Sequence, residues 1–167
     1  MPRRGTFYAI TPEEAERLLA LVGNDAELAR ECLELYTPER QRARFIAPVD
    51  HAWEILHRCL GDGTLRGIGA GSSPLTRCVL GGKSLHQGKE YIVCYVTPEQ
   101  ADEVADELDE IDVDWLAERY RNLPSAGYTG PIDNEDFQYT WDYFTSVRNL
   151  YSKAAADGRG VVFVTDQ

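Results

Sequence analysis

The stretch TFYAITPEEAERLLALVG, residues 6–23, contains the two kinds of element from which the fold is built. Its first five residues are mostly apolar and favour a short β-strand. Thr11 then supplies a helix N-cap, Pro12 suits the first helical position, and Glu14 completes a capping box. The apolar residues that follow recur at helical spacing until Gly23, which ends the helix: Ala15, Leu18, Leu19 and Val22. The chain is therefore predicted to open with a strand that leads directly into an amphipathic helix.

The same arrangement returns near the middle of the chain. The segment ITPEEAE at residues 10–16 corresponds to VTPEQAD at residues 96–102. Two explanations remain open: an old internal duplication, or a favourable Thr-Pro-Glu helix start that is used twice. Both explanations predict a second strand that enters a helix through a capped Thr-Pro step.

The other helices are predicted from their caps and apolar stripes. We expect helices to begin at Asn24, at Asp50 as the N-cap, near residue 115, and at Asp133 as the N-cap. The last of these is the longest, and Ile132 can pack against Phe137 as a hydrophobic staple.

The strand and loop predictions rest on apolar runs and on glycine and proline. Further strands are expected at residues 75–80, 91–96 and 161–164, and residues 37–48 fit either an edge strand or an extended loop. Residues 61–74 and 121–132 are rich in glycine and proline and predict loops.

Together these elements predict an α+β fold. A length of 167 residues with 43% hydrophobic residues suits one folded domain, which we place at residues 1–167. We expect a small, largely antiparallel sheet of about four strands, with amphipathic helices packed on it.

The order of these motifs resembles that of the YfbM-like family, a bacterial domain family of unknown function. The resemblance extends over nearly the whole chain, and the motifs that carry it are Thr11-Pro12-Glu13-Glu14, Asp50-His51-Ala52-Trp53, Leu56-His57, Leu80-Gly81-Gly82, Tyr95-Val96-Thr97-Pro98-Glu99, Arg119-Tyr120, Ala154-Ala155 and Gly158. The family often has lysine where this chain has His51, which removes any role of that lysine here. The resemblance implies a single α+β domain and no established activity.

The composition indicates which partners the chain can have. A net charge of −11 repels nucleic-acid phosphates and anionic membranes, so a basic protein or a cation is the natural electrostatic partner. The four cysteines contain no Cys-x-x-Cys pair, and no secretory signal or apolar run of 18 residues occurs. We therefore expect a cytoplasmic protein that binds neither nucleic acid nor membrane.

Motifs for catalysis and cofactor binding do not fit the sequence. Gly82-Lys83-Ser84 matches the end of a phosphate-binding loop, but Arg77 stands where that motif needs its first glycine. The glycines of residues 67–71 lack the following helix that a dinucleotide fingerprint requires. His51 and His57 do not have the spacing of a zinc-binding pair on a helix. The sequence thus indicates no catalytic residue, no metal and no cofactor.

A candidate ligand site comprises Asp50, Trp53 and His57. Their spacing places an acid, an aromatic ring and an imidazole on one helix face. Such a face can line a small-molecule pocket beneath the 61–74 loop. The structural alternative is equally concrete: Asp50 caps the helix, Trp53 fills the core and His57 binds a backbone carbonyl.

A candidate partner surface lies in the acidic segment 99–114, which has nine carboxylates and no lysine or arginine. The residues that we expect to bind a partner are Glu99, Asp102, Glu103, Asp106 and Glu107. A solvated helix face is the alternative.

The sequence therefore leaves two functions open. The first is a non-catalytic binding domain for a basic protein, immunity- or antitoxin-like in its sharpest form. The second is a small-molecule-binding protein or enzyme with a pocket near Asp50, Trp53 and His57.

Overall fold

The structure is a computed structural model in which residues 3–86, 88–124 and 134–166 are described. These residues form eight helices, one π-turn and five strands. In chain order the elements are β1 Gly5–Ile10, α1 Pro12–Ala20, α2 Asp25–Glu34, α3 Pro38–Arg42, β2 Ile46–Asp50, α4 Ala52–Leu60, α5 Pro74–Thr76, the π-turn Arg77–Gly81, β3 Lys83–Ser84, β4 Val93–Val96, α6 Pro98–Asp109, α7 Val113–Arg121, α8 Asn134–Ala156 and β5 Gly160–Thr165.

The described strands form one antiparallel sheet in the order β2-β1-β5-β4-β3. β1 and β5, from the two ends of the chain, pair along their full length from Gly5 opposite Thr165 to Ile10 opposite Gly160. The predicted α+β class and the single antiparallel sheet are confirmed, with five strands where about four were expected.

Helices pack on both faces of the sheet. Phe7 and Phe163 point to the first face, where α4, α6, α7 and α8 build the larger core. Tyr8 and Val162 point to the second face, which α1 and α2 cover. Alternate residues of a strand point to opposite faces, so each central strand contributes to both cores. The molecule thus has three layers, with the sheet in the middle.

Both predicted capped helix starts are confirmed. The Thr11 side chain accepts from the Glu14 N–H, and the Glu14 carboxylate accepts from the Thr11 N–H (2.9 Å). Thr97 and Gln100 make the same reciprocal pair at the start of α6. A capping box satisfies amides that the first helical turn leaves unpaired.

Two local predictions were wrong. Residues 75–80 form α5 and most of the π-turn rather than a strand, because Ser73 and Thr76 cap a helical turn that begins at Pro74. Asp50 is the last residue of β2 and does not cap α4, whose N-cap position is His51 without a side-chain cap. Asp50 has a φ of 48°, and this left-handed conformation turns the chain out of the strand.

Two other predictions concern residues 37–48 and the segment that precedes α8. Residues 37–48, left open between an edge strand and a loop, contain α3 and the start of the edge strand β2. Asp133, Ile132 and most of the predicted loop 121–132 lie outside the described residues.

A largely buried ion pair joins α1, α3 and β1. The Arg40 guanidinium contacts the Glu14 carboxylate and also donates to the carbonyls of Leu35 (2.7 Å) and Ala9 (3.3 Å). Burial alone raises the pKa of Glu14, but the hydrogen bonds from Arg40 and Thr11 outweigh it and hold that pKa below its usual value. Ionised Glu14 therefore stabilises the folded chain.

We predict that Glu14→Gln lowers the free energy of unfolding at pH 7 by about 2 kcal/mol, between the effects typical of exposed and buried ion pairs. Because the pKa of Glu14 is lower in the folded state, its contribution is present at neutral pH and disappears as the pH falls through the acidic range. Urea unfolding from pH 7 to pH 3 checks this. The wild type and the variant should converge at acid pH, and Glu13→Gln, at an exposed neighbour, should match the wild type. A constant difference across the pH range would contradict the prediction.

Candidate functional site

The structure places Asp50 and Trp53 against the N-terminal segment of the chain. The Trp53 indole N–H donates to the Arg3 carbonyl (2.8 Å), and its ring packs on Phe163 with 5.7 Å between centroids. The Asp50 carboxylate lies 3.6 Å from the Arg4 guanidinium and 3.3 Å from the His51 ring. Trp53 is thus a buried core residue, and Asp50 belongs to a partly exposed charged group beside it.

His57 is placed instead against the predicted 61–74 loop. It is buried, and its Nε2 lies 3.0 Å from the Arg66 carbonyl. Burial is the main reason why the pKa of His57 is lowered, although Arg66 and Asp62 act in the opposite direction. His57 is therefore neutral at physiological pH, and its ring holds this loop to α4.

A cavity of about 300 Å³ lies beneath the same loop. His57, Asp62 and Arg66 contribute to its lining, together with Gly71 and Thr76. The expected pocket near His57 thus has a counterpart in the structure, but Asp50 and Trp53 do not line it. A shared ligand role for Asp50, Trp53 and His57 stays a prediction.

The predicted partner surface forms one continuous stripe on α6. We name as the acidic stripe the five residues Glu99, Asp102, Glu103, Asp106 and Glu107, all of which are exposed. Within the described residues the stripe makes one ion pair, between Glu103 and Arg77 (3.5 Å). Spacings of three and four residues bring carboxylates next to one another, and the last turn has no basic residue to complement the helix dipole.

The opposite side of α6 explains how this helix tolerates its charge. Ala101, Val104, Ala105 and Leu108 are buried on the first face of the sheet, and α6 packs along α8. Burial of this apolar side supplies the stability that the stripe reduces. We therefore expect the fold not to depend on the carboxylates of the stripe.

Two half-buried tryptophans lie close to the end of α6. The Arg148 guanidinium donates to the Ile111 carbonyl (3.4 Å) and lies 5.7 Å from the centroid of the Trp141 ring. Trp115 lies in the first turn of α7, where its backbone N–H donates to the cap Asp112 (2.8 Å), and Arg119 lies over its ring at 4.9 Å. Aromatic side chains, which are enriched at protein–protein contacts, thus lie near the C-terminal end of the helix that contains the acidic stripe.

The cysteines offer no activated nucleophile. All four are buried, and burial raises the pKa of Cys32, Cys59 and Cys94 to about 12 and that of Cys78 further still. A protonated thiol is a poor nucleophile and a poor metal ligand.

Among the residues that the structure describes, no group of three His, Cys, Asp or Glu side chains is arranged to hold a metal ion. None of the described helices is long and apolar enough to cross a membrane.

Sequence analysis missed two features that combine distant segments. His86 is buried between Asp25 (3.1 Å) and Glu90 (3.1 Å) and stacks on Tyr91, so it joins the start of α2 to the segment before β4. A cavity of about 460 Å³ lies between α2 and the second face of the sheet. Leu33, an apolar residue outside the stripe that Leu28, Cys32 and Leu35 form at helical spacing, was the available sequence signal for the cavity.

Comparison with known proteins places the chain in a family. The sequence model of a domain of unknown function (DUF1877) matches residues 1–164. The chain belongs to the DUF1877 family. Its fold is similar to the crystal structure of YfbM from Escherichia coli, a protein of unknown function, with a TM-score of 0.70, 18% sequence identity, and coverage of 97% of this chain and 99% of that chain. No curated protein matches the sequence. The resemblance to the YfbM-like family is confirmed, and at this identity the comparison establishes the fold of this DUF1877 protein.

We predict that the acidic stripe lowers the stability of the isolated protein. Replacing Asp102 and Asp106 with Asn and Glu107 with Gln should raise the free energy of unfolding by about 0.5–1 kcal/mol at low ionic strength, because like charges repel along the helix. Added salt should reduce this difference. Urea unfolding at two salt concentrations measures it.

The matched control replaces Glu13, Glu16 and Glu34 with Gln, at exposed positions of α1 and α2. This control should show no comparable gain. A loss of stability in the α6 variant would mean that the stripe supports the fold.

Proposed function

We propose that this protein is a non-catalytic binding protein whose acidic stripe docks a basic protein partner. The observation that carries the proposal is the stripe itself: five exposed carboxylates on one helix, with a single ion pair within the described part of the chain. Maintaining this surface costs stability and contributes nothing to the core. A basic partner relieves the repulsion and gains complementary charge, which speeds and orients association.

The surroundings of the stripe suit a protein partner. Trp115 and Trp141 are half-buried close to the end of α6, where they can provide the apolar centre that charged rims usually surround. Carboxylates alone give weak, salt-sensitive binding. Aromatic side chains add buried apolar contact area, and salt does not screen the contribution of that area to binding. The partner is therefore expected to present lysine or arginine around an apolar patch.

The most specific version of this function is that of an immunity- or antitoxin-like protein of the cytoplasm, which neutralises a basic protein. The net charge of −11 supports this form, because it repels nucleic acid and attracts proteins with basic surfaces. Such a protein acts by covering a surface and needs no catalytic group of its own.

We predict that reversing the stripe removes partner binding. Asp102→Lys, Asp106→Lys and Glu107→Lys together should weaken binding of the captured partner about tenfold or more, because attraction becomes repulsion. Affinity capture from the host lysate at low and moderate salt identifies the partner, and calorimetry with the purified partner measures its affinity.

The control reverses Glu13, Glu16 and Glu34, which changes the net charge equally on α1 and α2. It should retain most of the affinity. The proposal fails if the stripe variant binds the partner as tightly as this control does.

A second candidate function rests on the cavity of about 300 Å³ beneath the 61–74 loop. This cavity is at the lower end of the size range of small-molecule sites, and His57 offers a neutral imidazole in its lining. This DUF1877 protein would then bind a small polar metabolite beside His57, in a cavity that Asp50 and Trp53 of the predicted site do not line.

We predict for this candidate that a metabolite raises the melting temperature of the wild type but not that of His57→Gln, because binding only the folded state stabilises it. Thermal-shift screening measures the effect, with Trp53→Phe as a second variant and His51→Gln as the control. A ligand that stabilises His57→Gln and Trp53→Phe as much as the wild type would exclude this site.

A further inference from the structure

The second face of the sheet is only partly covered. The strand register aligns Thr6 of β1 with Val164 of β5, and Val164 with Val93 of β4. Thr6 and Val164 remain half-exposed, whereas Tyr8 in the next row is buried beneath the helices. The cavity of about 460 Å³ follows this open row, with α2 as its outer wall. We call it the α2 groove.

The wall of the α2 groove presents apolar side chains to solvent. Leu28, Cys32 and Leu35 form the buried stripe of α2. Ala29 and Leu33 form a second stripe one position further round the helix, and both line the groove. Leu33 is 79% exposed, more than any other large hydrophobic side chain among the described residues. Exposed apolar surface beside a cavity is typical of a binding site.

The inner surface of the α2 groove is formed by anchored, uncharged side chains. The Tyr91 hydroxyl donates to the Asp25 carbonyl (2.5 Å), and the Tyr91 ring stacks on His86 with 3.7 Å between centroids. Burial raises the pKa of both the Tyr8 phenol and the Cys32 thiol to about 12, so both stay protonated at neutral pH. This arrangement favours binding of a molecule over reaction with it.

One end of the α2 groove is polar and contains a cation. Among the described residues that line the groove, Arg4 is the one lysine or arginine, and its side chain is 75% exposed. Its ion pair with Asp50 is long (3.6 Å) and the guanidinium is on the solvent side of it, so the remaining N–H groups of Arg4 can bind a second anion. Asp166 also lines this end, but one of its carboxylate oxygens already accepts from the Arg4 backbone N–H (2.8 Å). A guanidinium binds carboxylate and sulfonate groups through paired hydrogen bonds.

We propose that the α2 groove is a binding site for a small amphiphilic anion. An aromatic or aliphatic body lies against Ala29, Leu33 and Val164, and a carboxylate-type or sulfonate-type head group binds Arg4. The size of the cavity suits a small organic molecule, and its combination of apolar walls with few polar groups is typical of such sites. The groove lies on the second face of the sheet and the acidic stripe belongs to the helices of the first face, so this site is separate from the proposed protein-binding surface.

The probe is 8-anilinonaphthalene-1-sulfonate, whose aromatic body and sulfonate match the proposed ligand class. Fluorescence titration of the folded protein should show saturable binding at one site. Leu33→Glu should weaken binding about tenfold, because it places a charge on the apolar wall. Ala29→Phe should weaken it similarly by filling the groove.

The matched control is Val113→Glu, which adds the same charge at a 42% exposed apolar position of α7. It should bind the probe like the wild type. Because Leu33 is largely exposed, Leu33→Glu should keep the native circular dichroism and melting temperature, so this variant decides the test even if Ala29→Phe folds poorly.

The head group is tested with N-phenyl-1-naphthylamine, which has the same aromatic rings without the sulfonate. Arg4→Gln should weaken binding of the sulfonate probe several-fold, as loss of a charge-assisted hydrogen bond does, and leave the neutral probe unaffected. The proposal is overturned if the wild type does not bind the sulfonate probe, or if Leu33→Glu binds it as tightly as Val113→Glu. If Arg4→Gln weakened the binding of both probes equally, the claim that Arg4 binds an anionic head group would be overturned.

Discussion

The pairing of β1 with β5 is the interaction on which the other layers depend. It joins residues 5–10 to residues 160–165 in a continuous antiparallel register, so these central strands can pair only when both segments have been synthesised. Phe7 and Phe163 pack on one side of this pair at 4.8 Å between ring centroids, and Tyr8 and Val162 lie on the other. Both cores therefore begin on the same two strands. The protein should fold as one cooperative unit, because neither helical layer has a sheet to pack on without this contact.

The sequence predicted best those features that are decided within a few residues. Thr11 with Glu14 and Thr97 with Gln100 form capping boxes because each pair lies within one helical turn. The same local chemistry explains the error at residues 75–80, where Ser73 and Thr76 start a helical turn despite an apolar sequence that favours a strand. The edge strand β2 could not be assigned with certainty, because its pairing with β1 depends on residues about forty positions away.

The candidate sites also differ in whether the sequence was enough to predict them. The exposed stripe on α6 follows from helical spacing, and the sequence was enough to predict it. The α2 groove combines Arg4, Leu33, Tyr91 and Val164, from four distant parts of the chain, and no local pattern connects them. The Trp53 and His57 rings contact the backbone carbonyls of Arg3 and Arg66. The sequence does not show which backbone carbonyl a side chain will reach. Local patterns therefore predicted the acidic surface and a pocket near His57, whereas the α2 groove required the fold.

The two proposed sites differ in what they require of the core. The stripe needs only that α6 stay helical, and burial of Val104 and Leu108 ensures this whatever charges the opposite side has. The groove instead depends on a second face that two helices leave partly open, with Tyr91 held in place by Asp25 and His86. A fold shared with YfbM at 18% identity conserves the layers while most side chains differ. Because a surface stripe can change without repacking the core and a groove cannot, the groove is the feature more closely tied to the fold itself.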